Sequence, residues 1–261
     1  QSDFVEAVGF MRLGHALQIN DGQPWNTRQR EEAVEYYQRS IEQVHPFKVA
    51  RVGVEPLWGL CRAYGFGGDI FNAEQRAVRA LEISELAGDE WIGNLVRTSM
   101  GASLVMAGQA AGAQRWLERA AEGFRRVGDQ YGWTAARLWQ ALNAWWNGNP
   151  ASTVEIMASI LPAVKESGHE MLLMRPTLIG LKDEQVIIPL LLEARLHGVE
   201  VEAANRLLNT LRVIECEYHP GYTLWVRTLG AFGVWRGDSM VSAHEWQREK
   251  ARQLFQLLIT N

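Results

Sequence analysis

MGASLVMAGQAAGAQRWLERA, Met100–Ala120, decides the fold. Met100-Gly101-x-x-Leu104 places a small residue between two large ones at helical spacing. Gly108-Gln109 then breaks the chain, and Ala113-x-x-x-Leu117-x-x-Ala120 starts a second apolar stripe. The small residue lets a neighbouring helix approach closely, and the large ones fill the gaps on either side. Two amphipathic helices joined by so short a turn form an antiparallel hairpin.

The same spacing recurs on both sides. Phe10-x-x-Leu13-Gly14-x-x-Leu17 and Leu57-x-x-Leu60-Cys61-x-x-Tyr64 repeat the first-helix pattern, and Ala33-x-x-x-Tyr37-x-x-Ser40 and Ala77-x-x-x-Leu81-x-x-Ser84 repeat the second. These phrases match the tetratricopeptide repeat, and the offset from Gly101 to Ala113 is the one that family uses. Gly88-Asp89, Gly128-Asp129 and Gly148-Asn149 punctuate further helix ends at regular intervals. Tyr131 to Asn147 and Ser152 to Ser167 form a looser pair, as do Asp183 to His197 and Glu202 to Glu217. Between them, residues 169–183 are expected to form an extra helix broken near Pro176, and residues 21–29 widen the first repeat. The expectation is an all-α solenoid of roughly five tetratricopeptide-like hairpins over residues 1–220, with its first helices lining a concave face.

Residues 221–261 read differently. Leu224, Val226 and Thr228 alternate with Trp225, Arg227 and Leu229, and Phe232 to Arg236 is a second extended run. Gly237-Asp238 supplies a turn, and Met240-Val241 begins a return strand. Ser242-x-x-Glu245 predicts a capping box, followed by an amphipathic helix through Ala251, Leu254, Phe255 and Leu258. A β-hairpin and one helix cannot bury that apolar stripe, so the segment is expected to be the cut start of another domain. Leu229, Gly230, Phe232, Val234, Trp246, Arg248, Lys250, Ala251, Arg252 and Leu254 resemble the opening of the winged-helix DNA-binding domain of bacterial transcriptional activators (SARP/BTAD-like, OmpR-type). The upstream array is similar to the sensor region of maltose-activator-like regulators (MalT-like, STAND type), in which an ATPase module often precedes the repeats. The resemblance implies a truncated winged helix whose Arg248, Lys250 and Arg252 meet the DNA backbone in an intact protein, with sequence readout left to parts beyond Asn261.

Composition bounds the remaining functions. The net charge is −4, which argues against nucleic-acid binding by the body of the chain. The apolar run from Val186 to Leu192, interrupted by Pro189, is far too short for a membrane span. No basic leader or cleavage pattern opens the chain, and the missing initiator Met points to an excised or processed start. Cys61 and Cys216 stand far apart, so reduced thiols and a cytoplasmic location are expected. His15, His45, His169, His197, His219 and His244 show no zinc spacing, and no P-loop, GxSxG or HExxH is present. Gly65 to Asp69 reads as a connection between helices, and Glu31-Glu32 and Asp89-Glu90 as helix-start charges. No metal, cofactor or catalytic residue is expected, and the chain is read as a non-enzyme.

Eleven tryptophans are many for 261 residues. Most are expected in the core. In the repeat register, His15, Trp58, Arg62 and Thr98 face the concave side, with Trp139, Asn143 and Trp146 completing a groove for a protein or small-molecule effector. The resulting reading is a sensor or scaffold region of a bacterial transcription regulator. The alternative is a protein–protein interaction scaffold with no DNA role.

Overall fold

Glycines at 68, 88, 108, 128, 148 and 168, one every twenty residues, all adopt positive φ. Each lets the chain turn left-handed out of a helix at no steric cost. The next residue's N–H then returns to a carbonyl of the finished helix, from Asp69 to Tyr64 through His169 to Val164. Asp69, Asp89, Asp129 and Asn149 also accept a backbone N–H of the following helix, capping it. A Gly-Asp or Gly-Asn pair thus ends one helix and starts the next.

The computed structural model describes residues 2–19, 27–44, 49–222, 224–237 and 239–260. His45, Asp238 and most of the 21–29 insertion lie outside them. Four hairpins open the chain: α1 (Ser2–Gln18) with α2 (Thr27–Val44), α3 (Ala50–Phe66) with α4 (Ile70–Leu86), α5 (Glu90–Met106) with α6 (Ala110–Val127), and α7 (Gln130–Trp146) with α8 (Pro150–Ser167). The first helices α1, α3, α5 and α7 pack on one another in sequence, and the second helices back them. Small residues set the separation. A Cβ at Gly59 would fall 2.2 Å from Tyr37 Cζ, and one at Gly101 would fall 2.6 Å from Leu117. Buried alanines at 33, 73, 77, 80, 113 and 120 line the same contacts from the second helices.

Side chains also tie the first helices α3, α5 and α7 to the chain that follows their hairpins at a fixed offset of thirty-eight residues. Arg51 pairs with Asp89 at 2.7 Å, and the Trp91 indole donates to the Asp129 carboxylate at 2.7 Å. At the third such position, Tyr131 meets the His169 ring edge-on at 5.2 Å.

After α8 the chain departs from the sequence expectation. In place of a broken helix there is one short turn of helix, α9 (Met171–Met174), and then a strap without regular secondary structure, residues 175–182. Pro176 has no N–H for a helix, and the Thr177 hydroxyl accepts from Gly180 N at 2.8 Å, which fixes a tight bend instead. The last hairpin begins as a 3-10 turn (Glu184–Ile187) capped by Asp183, and continues as α10 (Ile188–Leu196) and α11 (Val201–Thr210). The expected helix to Glu217 stops at Thr210. Arg212 turns left-handed, and the Arg195 guanidinium collects the carbonyls of Ile214 and Cys216.

The C-terminal segment holds a three-stranded antiparallel sheet in the order β1 (Leu224–Arg227), β2 (Gly233–Arg236), β3 (Ser239–Met240), followed by α12 (Glu249–Thr260). Trp225 faces Trp235 and Val226 faces Val234 across the first pair. The predicted helix start at Ser242 is corrected to Glu249. The Glu245 carboxylate does accept from Ser242 N at 2.8 Å, but it also pairs with Arg236, and Gln247 turns left-handed before a helix can begin. Phe255 packs on Trp246 and Phe232, while Leu254, Leu257 and Leu258 stay exposed.

Candidate interaction face

The strap lies against the face that the first helices present. Arg62 of α3 donates from Nη2 to the Thr177 carbonyl at 3.1 Å, and Trp139 of α7 donates from Nε1 to the Ile179 carbonyl at 2.8 Å. Two side chains from two repeats therefore hold carbonyls two residues apart in one non-helical strap, at the bend that Thr177 and Gly180 close. Phe66 fills the space between them. Its ring lies 5.8 Å from that of Trp139, under the Arg62 guanidinium at 4.3 Å, with the Lys182 ammonium at 5.3 Å. Ile179 and Leu181 are buried in the core that the helices share.

Arg62 is 1% exposed, and its Nε and Nη1 find no acceptor among the described residues. Burial pushes its pKa down to about 9, against the opposing influence of Tyr37 and Cys61. A charge held under such strain is compensated here mainly by one carbonyl of the strap and the face of Phe66.

The other residues expected in a groove have different surroundings. His15 is buried, with Nδ1 2.8 Å from the Tyr37 hydroxyl, Nε2 3.8 Å from the Glu55 carboxylate and its ring 5.3 Å from Trp58. Gln18 donates to the same hydroxyl and to the Gly59 carbonyl, so the network joins α1, α2 and α3. Burial, only partly offset by the Gln18 bond, raises the Tyr37 phenol far above its ordinary value. The Trp58 indole donates to Ser99 Oγ at 2.7 Å, bridging α3 to α5. Thr98 is fully buried and returns its hydroxyl to the Asn94 carbonyl of its own helix. Asn143 donates to the Ala110 carbonyl at 3.2 Å, linking α7 to α6. Trp146 is 44% exposed. The structure thus joins Arg62 and Trp139 through the strap, places His15, Trp58, Thr98 and Asn143 in the packing behind them, and leaves Trp146 open to solvent.

Trp146 is seven residues beyond Trp139 on α7, hence on the same helical face. Met106 holds the corresponding position on α5 and is also exposed. Together they extend the apolar row that begins at Phe66. Of the three C-terminal basic residues, Arg248 and Lys250 are exposed and Arg252 donates to Glu249 of its own helix.

Among the described residues no group of three or more His, Cys, Asp or Glu side chains could hold a metal ion, and no helix is long and apolar enough to cross a membrane. No protein-family model matches the chain, and no curated protein matches it. Solved structures do. A single-substitution variant of a Podosopora anserina protein with nearly identical tetratricopeptide-like repeats, described as a kinesin light chain, superposes with a TM-score of 0.54 at 16% identity, covering 82% of this chain and 96% of that one. The corresponding parent structure gives a TM-score of 0.49 at 15% identity, over 82% and 93% of the two chains. The likeness is one of fold: a tetratricopeptide-like helical repeat.

Proposed function

We propose that this chain is a protein-interaction scaffold that holds a non-helical segment of a partner along its first-helix face. One observation carries the reading: the chain already holds a non-helical segment there, its own residues 175–182, through donors from two repeats to the backbone carbonyls of Thr177 and Ile179. Backbone carbonyls are common to every peptide, so this mode supplies affinity, and neighbouring apolar positions supply selectivity. In this reading His15, Trp58, Thr98 and Asn143 shape the face from behind. Arg62 and Trp139 are its peptide-holding groups, and Trp146 with Met106 is where an incoming segment continues past the strap.

The test is a selection of displayed peptides on the immobilised chain, followed by affinity measurement on the enriched sequences. The expected result is binding that drops at least about tenfold, near 1.4 kcal/mol, in Trp146→Ala and in Met106→Ser, with thermal stability retained. Enriched peptides indifferent to both changes, or no enrichment over an unrelated helical protein, would defeat the proposal.

A second reading makes residues 1–220 the sensor region of a transcription regulator, with an effector or an ATPase module as partner, and residues 221–261 the start of its winged helix. Its support is the resemblance of that segment together with its order of three strands and a basic helix. Arg248, Lys250 and Arg252 would then neutralise roughly two to four phosphates, with a salt slope on the order of −2 to −4. Fluorescence anisotropy on promoter-length and scrambled duplexes separates the readings, using the chain with whatever residues its gene encodes beyond Asn261. Sequence-specific binding favours the regulator, and none on any duplex leaves the scaffold.

A further inference from the structure

On another face a cleft of about 480 Å3 opens between α6 and α7, lined by Arg115, Arg119, Arg125, Arg137 and Trp133. Glu118 and Glu122 also line it, so four guanidiniums meet two carboxylates, a local charge of +2 in a chain whose net charge is −4. None of the four arginines makes an ion pair among the described residues.

The repeat itself supplies the control. Arg97 stands forty residues before Arg137, at the same place on the preceding first helix. There its guanidinium is neutralised by Glu85 at 3.1 Å and bonded to Asn94 at 3.0 Å. Forty residues after Glu85 the chain carries Arg125, and forty after Glu90, which pairs with Arg126, it carries Gln130. Around Arg137 the acids at 85 and 90 are thus replaced by a base and an amide, while Arg126 is replaced by Glu166. Arg137 is left with neutral hydrogen-bond partners, Gln140 at 2.8 Å and Ser159 at 3.3 Å, and a buried Nε with no hydrogen-bond partner among the described residues. Burial lowers its pKa and Arg125 lowers it further, with Glu155 opposing. Arg125 and Arg137 both approach the Trp133 ring, at 5.9 and 6.0 Å.

We propose that this cleft binds a phosphomonoester. Such a group carries close to two negative charges at neutral pH and three acceptor oxygens, which match the local excess of +2 and the forked donors of several arginines. The cleft exceeds what inorganic phosphate fills, leaving room for the moiety that bears the ester, with Trp133 as its apolar wall.

Isothermal titration at about 0.15 M salt, a concentration that screens exposed pairs, tests this. The probes are inorganic phosphate, a phosphoserine peptide, its unphosphorylated twin and a DNA duplex. The expected result is saturable binding of the phosphopeptide at least tenfold tighter than its twin, with inorganic phosphate competing. Arg119→Glu, on the exposed side of α6, should abolish it without shifting the melting temperature, and Arg137→Gln should weaken it at least tenfold. If Arg137→Gln fails to fold, Arg119→Glu still decides. Saturable phosphate binding with no gain from the peptide also supports the site and identifies a small phosphorylated molecule as its source. No saturation by phosphate or phosphopeptide up to about 10 mM, where affinity is negligible, overturns the proposal. Duplex binding that is lost in the same variants overturns it too, because the cleft would then be attracting polyanions without selecting a phosphomonoester.

Discussion

Trp139→Phe separates the hold on the strap from the general packing of the array. The indole is 2% exposed and its N–H meets the Ile179 carbonyl at 2.8 Å. Phenylalanine keeps an aromatic ring beside Phe66 but strands that carbonyl away from water, at a cost of about 1–3 kcal/mol. The smaller ring leaves a void worth roughly another 1 kcal/mol. The sum, about 2–4 kcal/mol, corresponds to a roughly 30- to 1000-fold rise in the population with the strap released. Amide hydrogen exchange at Gly180 and Leu181 should accelerate by that factor if the strap opens on its own. Trp58→Phe is the comparator. It removes a bond of similar length, 2.7 Å to Ser99 Oγ, from the α3–α5 contact. Both variants should lose global stability, but only Trp139→Phe should bring strap exchange ahead of exchange in α5 and α6. Equal acceleration in the two variants would mean that the strap opens only when the whole array unfolds, and the argument for a separable peptide-holding face would fail.

Two glycines in α6 should respond to alanine with opposite signs. Gly112→Ala finds its nearest atom at 3.4 Å and should gain about 0.5–1 kcal/mol in a urea melt, whereas Gly123→Ala would place Cβ 2.2 Å from the buried Asn94 amide, disturb its bond to Arg97, and lose about 1–3 kcal/mol. A thiol reagent at pH 8 should modify one cysteine per native chain and two in denaturant, because Cys61 is fully buried with its pKa pushed up to about 12 by that burial, while Cys216 is partly exposed. Burial raises the Glu55 carboxyl, but His15, Arg12 and Arg51 together outweigh it and leave the pKa below its ordinary value. Its stabilising contribution is therefore full above the unfolded-state pKa and lost as pH falls through the folded one, so Glu55→Gln should flatten stability measured below about pH 4.5.

The hairpins could be read because their determinants are local. Gly101 and Leu117, or Gly128 and Asp129, act within a turn or a helix pair, and their spacing is visible in a single window. The strap could not. It is irregular, it carries no periodicity, and what fixes it is Arg62, 115 residues upstream. Pro176 was the one signal, and it marked where a helix breaks without indicating what the chain does next. The same long reach explains the groove residues. Repeat register assigns His15, Trp58 and Thr98 to a side of the helix, but their burial depends on Tyr37, Ser99 and helices that no local window contains. Trp146 differs because it lies at a helix end, where fewer neighbours can cover it. At the C-terminus the strands follow from alternation, whereas the left-handed turn at Gln247 that delays α12 to Glu249 is a backbone feature that spacing cannot reveal.

The strap also changes what kind of mechanical object the array is. A stack in which each hairpin touches only its neighbours behaves as a spring: it bends at every joint and comes apart piecemeal from its ends. Arg62 and Trp139 bind α3 and α7 to the same eight residues, which spans the joints between them like a tie rod across an arch. Strain applied at one end is then shared by the tied repeats. Pulled from its termini in an optical trap, the chain should give up α1 and α2 early and yield α3 to α8 in one large step, where an untied solenoid would give a staircase.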